Sequence, residues 1–134
     1  MPSQIKDVLN RAVIEKWSYP QIFDALHAAG VEYYETHVSA SQTTYYGGDE
    51  SWKEASLSQS PLVVAPHFIV ERIQNAIGRN QKKETTYLEF LQEIAAAGVF
   101  TYRVDMKLRS ICYKGREGEK YIEKIPVFLG NLQN

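Results

Sequence analysis

The chain has 134 residues, a length typical of one domain, and its 44% hydrophobic and 23% charged residues match ordinary globular usage. Fifteen basic and sixteen acidic residues give a net charge of −1, which argues against nucleic-acid binding. The single cysteine, Cys112, excludes an intrachain disulfide and fits a reducing compartment. We therefore expect one domain, residues 1–134, in the cytoplasm. The first residues lack the apolar run of a signal peptide. The longest apolar stretch, 61–66, is too short to span a bilayer, so no membrane partner is predicted.

Four helices are predicted in chain order from apolar residues at helical spacing. Their apolar faces are Ile5, Val8, Leu9, Ala12 and Val13; Ile22, Phe23, Leu26 and Ala29; Ile69, Ile73, Ala76 and Ile77; and Phe90, Leu91, Ile94 and Ala97. The helix starts are indicated by Ser3, by the capping box Ser18-x-x-Gln21, by Pro66 and by the capping box Thr86-x-x-Glu89. Gly30 and Gly98 follow the second and fourth helices, where a left-handed C-cap favours glycine.

The strands are predicted from alternating apolar and polar residues. Segments 31–38 and 42–46 form one hairpin, 99–108 and 110–114 form a second, and 120–125 is a last strand. The residues expected to face the core are Tyr34, Val38, Tyr45, Phe100, Tyr102, Val104, Met106, Leu108, Ile111 and Tyr113. The polar stretch 48–66 is predicted to be a long connection.

The chain contains an internal repeat at a constant offset of 68 residues. Residues 18–50 align with 86–118 without a gap, and eight of the 33 positions are identical. The identical positions are Tyr19, Ala28, Ala29, Gly30, Val31, Tyr34, Tyr45 and Gly47. The fold class predicted is therefore α+β: a duplicated helix-helix-β-hairpin unit, about residues 5–50 and 68–118. The units would form one antiparallel sheet of four to five strands packed against helices, with the halves related by a rough two-fold.

The second half resembles a known family. The resemblance is carried by residues 76–81 (AIGRNQ), Tyr87-x-x-Phe90-Leu91, Ala96-Ala97-Gly98, Tyr102-x-Val104, residues 113–119 (YKGREGE) and Glu123-x-Ile125-Pro126. This pattern is similar to that of the YbcV-like family of small bacterial and prophage proteins, often labelled phage envelope protein. It covers residues 64–128 well and the first half loosely, and it departs from the family at Lys83 and Tyr121. The resemblance implies a domain of unknown function and no cofactor or catalytic residue.

The outward face of the predicted sheet is polar. It carries Tyr33, Glu35, His37, Gln42, Thr44, Tyr46, Thr101, Arg103, Asp105, Ser110, Cys112 and Lys114. If the hairpins pair at the sheet centre, His37 would approach Asp105, and a carboxylate beside an imidazole raises its basicity. The candidate ligand-binding residues are Tyr33, Glu35, His37, Arg103 and Asp105. The ordinary alternative is a solvated sheet face with cross-strand ion pairs.

Other candidate sites are weaker. Cys112 and His37 would make a nucleophile and base, but no oxyanion hole is visible, and a free cysteine is usually a small apolar strand residue. None of His27, His37 and His67 has a second ligand at metal-binding spacing, so no metal site is predicted. The glycines after Tyr45 and Tyr113 do not form a phosphate loop, so no cofactor is predicted.

Two functions stay open from the sequence. The favoured one is a non-enzymatic binding or interaction module without a catalytic residue, which binds an unknown protein or a small polar ligand or pairs as a homodimer. The alternative is a small-molecule-binding protein or minor enzyme that uses the polar sheet face near His37. A flat aromatic patch on this face would favour the first function, and a concave polar cluster would favour the second.

Overall fold

The computed structural model of the chain describes residues 2–125, with Pro2 as backbone only. In chain order the elements are α1 (Pro2–Glu15), α2 (Tyr19–Ala28), β1 (Tyr33–His37), β2 (Gln42–Gly47), β3 (Glu50–Lys53), α3 (Val70–Gln81), α4 (Tyr87–Ala96), β4 (Thr101–Asp105), β5 (Ser110–Lys114) and β6 (Lys120–Lys124). Pro126, part of the resemblance, lies outside the described residues, as does the rest of the predicted domain up to residue 134.

The strands form one antiparallel sheet in the order β3-β2-β1-β4-β5-β6. The α+β class is as predicted, but the described residues contain six strands rather than four to five. The missed strand is β3, which lies inside the stretch predicted to be a connection. β3 has four residues with the burial of an edge strand, and Trp52 is its only inward apolar residue, so the sequence shows almost no alternation there.

The helices cover one face of the sheet, with α1 against α2 and α3 against α4. Ile5 of α1 and Ile73 of α3 are fully buried, as are Phe23 and Leu26 of α2 and Leu91 and Ile94 of α4, apart from 1% exposure at Leu26. These side chains meet the inward residues of the strands in one core. No helix that the structure describes covers the opposite face of the sheet, and only the end of α2 borders it, at His27.

α2 and α4 begin directly after Ser18 and Thr86, as predicted, whereas α3 begins at Val70, four residues after Pro66. Thr86 and Glu89 form the expected capping box, whereas the Ser18 side chain makes no cap bond and its Oγ is buried without a partner. Pro20 lies in the first turn of α2 and removes one N–H that a cap residue could bind. Ser3 lies inside α1 rather than before it.

The predicted phase of the strands is confirmed in their interiors and wrong at two ends. The inward residues from Tyr34 to Tyr113 are buried, but Phe100 is 40% exposed and Leu108 is 62% exposed. Phe100 precedes β4, and Leu108 lies in the turn between β4 and β5. Alternation extends only as far as the strand does, so an apolar residue beyond its end takes no fixed side.

The two halves share their local backbone at matched positions. Gly30 and Gly98 follow α2 and α4 with φ of 100° and 90°, and Ser41 and Arg109 have φ of 46° and 49° in the two hairpin turns. The sheet register also maps onto itself under the 68-residue offset, because Tyr33 pairs with Asp105 and His37 pairs with Thr101. The centre of this relation is the pair Glu35 and Arg103, whose residues are each other's counterparts.

A polar network lies between the helices and the centre of the sheet. The Tyr19 hydroxyl bonds with that of Tyr34, and the Tyr87 hydroxyl bonds with that of Tyr102. Thr36 and Thr43, both buried, bond through their hydroxyls at 2.6 Å. Burial raises the pKa of Tyr19, Tyr34, Tyr87 and Tyr102. These phenols therefore stay neutral and act as hydrogen-bonding groups of the core.

Candidate functional site

The outward face of the sheet is the largest polar surface that the strands create. Directly paired residues form three rows that cross the strands of this face. The first row is Ser51, Tyr46, Tyr33, Asp105, Ser110 and Lys124, and the second is Lys53, Thr44, Glu35, Arg103, Cys112 and Ile122. The third row is Gln42, His37, Thr101, Lys114 and Lys120. All these side chains are half-buried or exposed. Within residues 2–125, no hydrogen bond, ion pair or ring contact joins this face to a helix. The face is open to a partner.

Four side chains form a contiguous stack at the centre of this face. The Arg103 guanidinium donates a hydrogen bond to Glu35 at 3.0 Å and lies over the ring of Tyr33, 4.1 Å from its centroid. The ring of Tyr33 stacks on that of Tyr46 with centroids 4.5 Å apart and planes 12° from parallel. The guanidinium is thus held against both a carboxylate and a ring, and the two rings are held against each other.

The structure brings together four of the five predicted site residues and separates the fifth. Asp105 lies directly opposite Tyr33, beside the stack, and accepts a hydrogen bond from the backbone N–H of Leu108. His37 pairs with Gln42 and Thr101 at the other end of the strand. Four residues along a strand separate the levels of His37 and Asp105, a distance of roughly 13 Å. The expected approach of the imidazole to the Asp105 carboxylate is therefore wrong.

The reason is the direction of pairing. β1 and β4 are antiparallel, so matched positions of the two halves lie at opposite ends of the pair. Only the central position meets its own counterpart, and that position is occupied by Glu35 and Arg103. The sequence gives the offset between the halves but not the direction in which β1 and β4 pair.

Cys112 is not placed to act with His37. Cys112 is half-buried on β5 between Arg103 and Ile122, and β4 lies between β5 and the strand that carries His37. The nucleophile-and-base alternative therefore has no geometry to support it. Among residues 2–125, no group of three or more His, Cys, Asp and Glu side chains is arranged to hold a metal ion.

A depression of about 510 Å³ adjoins the stack at the end of β1 and β4. It is lined by His27, Glu32, Tyr33, Asp105, Met106 and Lys107. Nothing in the sequence connects His27 with Asp105. The residue contributes to this depression because α2 ends four residues before Glu32, which brings its last turn close to the start of β1. In the sequence, the only indication of this placement is that His27 lies six residues before Tyr33, a separation too common to be informative.

Comparison with known proteins assigns the family. The family model described as "Protein of unknown function (DUF1398)" matches residues 7–124. The chain belongs to the DUF1398 family. No curated protein matches the DUF1398 chain. Within the described part of the chain, none of the helices combines the length and the apolar character needed to cross a membrane.

Two carboxylates of the DUF1398 chain lie half-buried on the helix side of the sheet, at its two edges. Tyr45 donates its hydroxyl to Glu54 at 3.4 Å, and Tyr113 donates its hydroxyl to Glu123 at 3.1 Å. Burial raises the pKa of both glutamates above the ordinary value of 4.5, and the tyrosine hydrogen bonds offset part of that rise. The protonated form of each is therefore favoured by folding.

Replacing both glutamates with glutamine, Glu54→Gln with Glu123→Gln, should flatten the pH dependence of stability. A raised folded-state pKa means that the native chain holds protons that the unfolded chain releases, so the free energy of unfolding falls as pH rises from about 4.5 through the raised pKa values. In the double variant this fall in the free energy of unfolding is absent. Solvent screening keeps the fall in the wild type below about 1 kcal/mol per glutamate. Urea unfolding at several pH values between about 4.5 and 7 measures the slope. An unchanged slope in the variant would contradict the assignment.

Proposed function

We propose that the DUF1398 chain is a non-enzymatic binding module whose outward sheet face is the binding surface. The observation that carries this proposal is the ordered stack of Glu35, Arg103, Tyr33 and Tyr46 on a sheet face that no described helix covers. Aromatic and arginine side chains contribute most to protein interfaces, especially where neighbouring contacts hold them in place. The central part of the surface is flat, since it consists of paired strands, and flat surfaces suit macromolecular partners better than small ligands.

A photocrosslinking residue placed on this face should capture the partner. Thr44 and Thr101 are outward and half-buried, and Gln92 of α4 is exposed on the helix side. With a benzophenone amino acid at Thr44 or Thr101, we expect a specific protein adduct after irradiation in an extract of the source organism. The same amino acid at Gln92 is the matched control. Adducts of equal yield from all three positions, or from Gln92 alone, would contradict the proposal.

A second candidate function is supported by the depression beside the stack. Glu32, Asp105, His27 and Lys107 line it, which are residue types that bind small polar ligands. Tyr33 would then belong both to the ligand site in the depression and to the stack on the outward sheet face. Ligand binding at this position would be lost with Asp105→Asn, whereas crosslinking from Thr44 would persist.

We also propose that the two halves arose by duplication of one unit. The support is the 68-residue sequence repeat together with the matched backbone at Gly30 and Gly98 and at Ser41 and Arg109. The outer strands extend the match, because Tyr45 stacks on Trp52 as Tyr113 stacks on Tyr121.

The resemblance to the YbcV-like family further supports a cytoplasmic, prophage-related protein. If the chain forms a homodimer through the outward face, the crosslinking experiment would give an adduct between two copies of the chain.

A further inference from the structure

The outward faces of the two halves differ in charge. The 68-residue offset places Lys114 where the first half has Tyr46. The registers of β5 with β6 and of β2 with β3 place Lys120 where the first half has Ser51. Both halves build the same helices and strands, so the first half shows that the fold does not require a lysine at either position. Comparing the two halves therefore shows which residues the fold itself does not require.

Two lysines of the second half face each other on the outward side of the sheet. Lys114 lies directly opposite Lys120, and like charges at such positions destabilise a sheet. Lys114, Lys120 and Lys124 form no ion pair within residues 2–125. Lysines on an edge strand often protect it from aggregation, which suits Lys120 and Lys124 on β6. Lys114 lies on an interior strand, so edge protection does not account for it.

We propose that this half of the face binds an acidic polypeptide segment of a partner protein. We call the surface formed by Arg103, Lys114, Lys120, Ile122 and Lys124 the lysine face. This inference rests on the proposed function and names its partner class. Carboxylates of the partner would separate and neutralise Lys114 and Lys120, which removes the repulsion that the free sheet carries.

Ile122 indicates the kind of acidic segment. It is 59% exposed and lies between Lys120 and Lys124 on the same side of β6, next to the half-buried Cys112. A segment with an apolar side chain among its acidic residues would cover this isoleucine while its carboxylates meet the lysines. Among the described strands β6 lies at the edge of the sheet, so it also offers backbone groups to an extended segment.

A protein partner fits this surface better than a nucleic acid. Single-stranded nucleic acids bind largely by stacking bases on aromatic rings, and no aromatic residue lies on the outward side of β5 or β6. The aromatic pair of the other half is already engaged, since Tyr33 holds the Arg103 guanidinium and the Tyr46 ring.

The test uses a fluorescein-labelled acidic peptide with one leucine among glutamates, and fluorescence anisotropy with the full chain. The informative variant is Lys114→Tyr with Lys120→Ser, which installs the residues that the first half tolerates at the same positions. We expect the Kd of the peptide to rise about tenfold in this variant and with increasing salt. Lys114→Gln with Lys120→Gln is a second variant with the same expected result. Arg72→Ser with Lys82→Ser removes equal charge from exposed positions of the helix side and should leave the Kd unchanged.

The outcomes separate the two proposals. Equal binding by the wild type and both lysine variants, or an equal loss in the helix-side control, would refute the acidic partner. Tighter binding of a single-stranded oligonucleotide than of the peptide would also refute it and assign the lysine face to nucleic acid. If crosslinking from Thr44 and Thr101 persists in those cases, the binding module stands with a different partner; if it is absent as well, both proposals fail.

Discussion

Replacing Gly98 with alanine should destabilise the fold by about 3 to 5 kcal/mol, near the upper end for single substitutions. Gly98 has φ of 90°, which an alanine adopts only with strain, and a Cβ there would lie 2.1 Å from the backbone oxygen of His67. The atoms that the added Cβ would meet belong to the backbone of His67 and Phe68, so no side-chain rotation relieves the clash. The segment that contains His67 is held nearby, because the N–H of Ile69 bonds to the carbonyl of Ala97. The free energy of unfolding, from urea titration followed by circular dichroism, measures the loss.

Gly30→Ala is the matched control, because Gly30 occupies the equivalent position of the first half. Its φ of 100° imposes the same backbone strain, but nothing lies within 4 Å of the added Cβ. The expected cost is therefore the strain alone, about 1 to 2 kcal/mol. The difference between the two variants isolates the steric term. Equal losses would show that the segment around His67 moves aside at little cost.

Removing one hydroxyl from the buried threonine pair should cost about 1 to 3 kcal/mol, the penalty for leaving a buried polar group unsatisfied. In Thr36→Val, the hydroxyl of Thr43 loses its 2.6 Å partner in a site with no exposure at Thr36 and 4% at Thr43. The 68-residue offset matches these threonines to Val104 and Ile111, both buried. The fold thus accommodates an apolar pair at the same place in the other half.

The double variant Thr36→Val with Thr43→Ile should recover most of the stability lost in the single variant. It removes both hydroxyls and supplies the apolar pair that the second half already packs, so it should unfold within about 1 kcal/mol of the wild type. Thr44→Val, on the half-buried outward face, is a control with an expected change of less than about 0.5 kcal/mol. Thr36 also interacts with the hydroxyls of Tyr87 and Tyr102, and Thr43 with that of Tyr87. A double variant as unstable as the sum of its singles would show that the threonine hydroxyls act separately, through these tyrosines.

Much of the fold is visible in the sequence because its signals are local. Helical spacing, the glycines after α2 and α4 and the alternation in β1 and β4 each depend on neighbouring residues. β3 is missed because four residues with one inward side chain give no period to detect. The Ser18 capping box is predicted wrongly for a different reason: the motif is present, but the Oγ is buried without a bond to the helix start.

The site is predictable only up to the point where pairing direction matters. Alternation correctly places Glu35, His37, Arg103 and Asp105 on one face. Which of them touch depends on the direction of β1 against β4, a long-range property with no local signal. The inclusion of His27 in the depression depends on the tertiary arrangement as well, whereas the stack of Tyr33 on Tyr46 follows from the register of the first hairpin.

The central Glu35 and Arg103 pair has a consequence for how chains recognise one another. Two first halves joined by the same strand would set Glu35 against Glu35, and two second halves would set Arg103 against Arg103, so like halves repel. A first half from one chain and a second half from another would make the same ion pair that forms within one chain. The pair therefore selects the complementary half without selecting the molecule that supplies it.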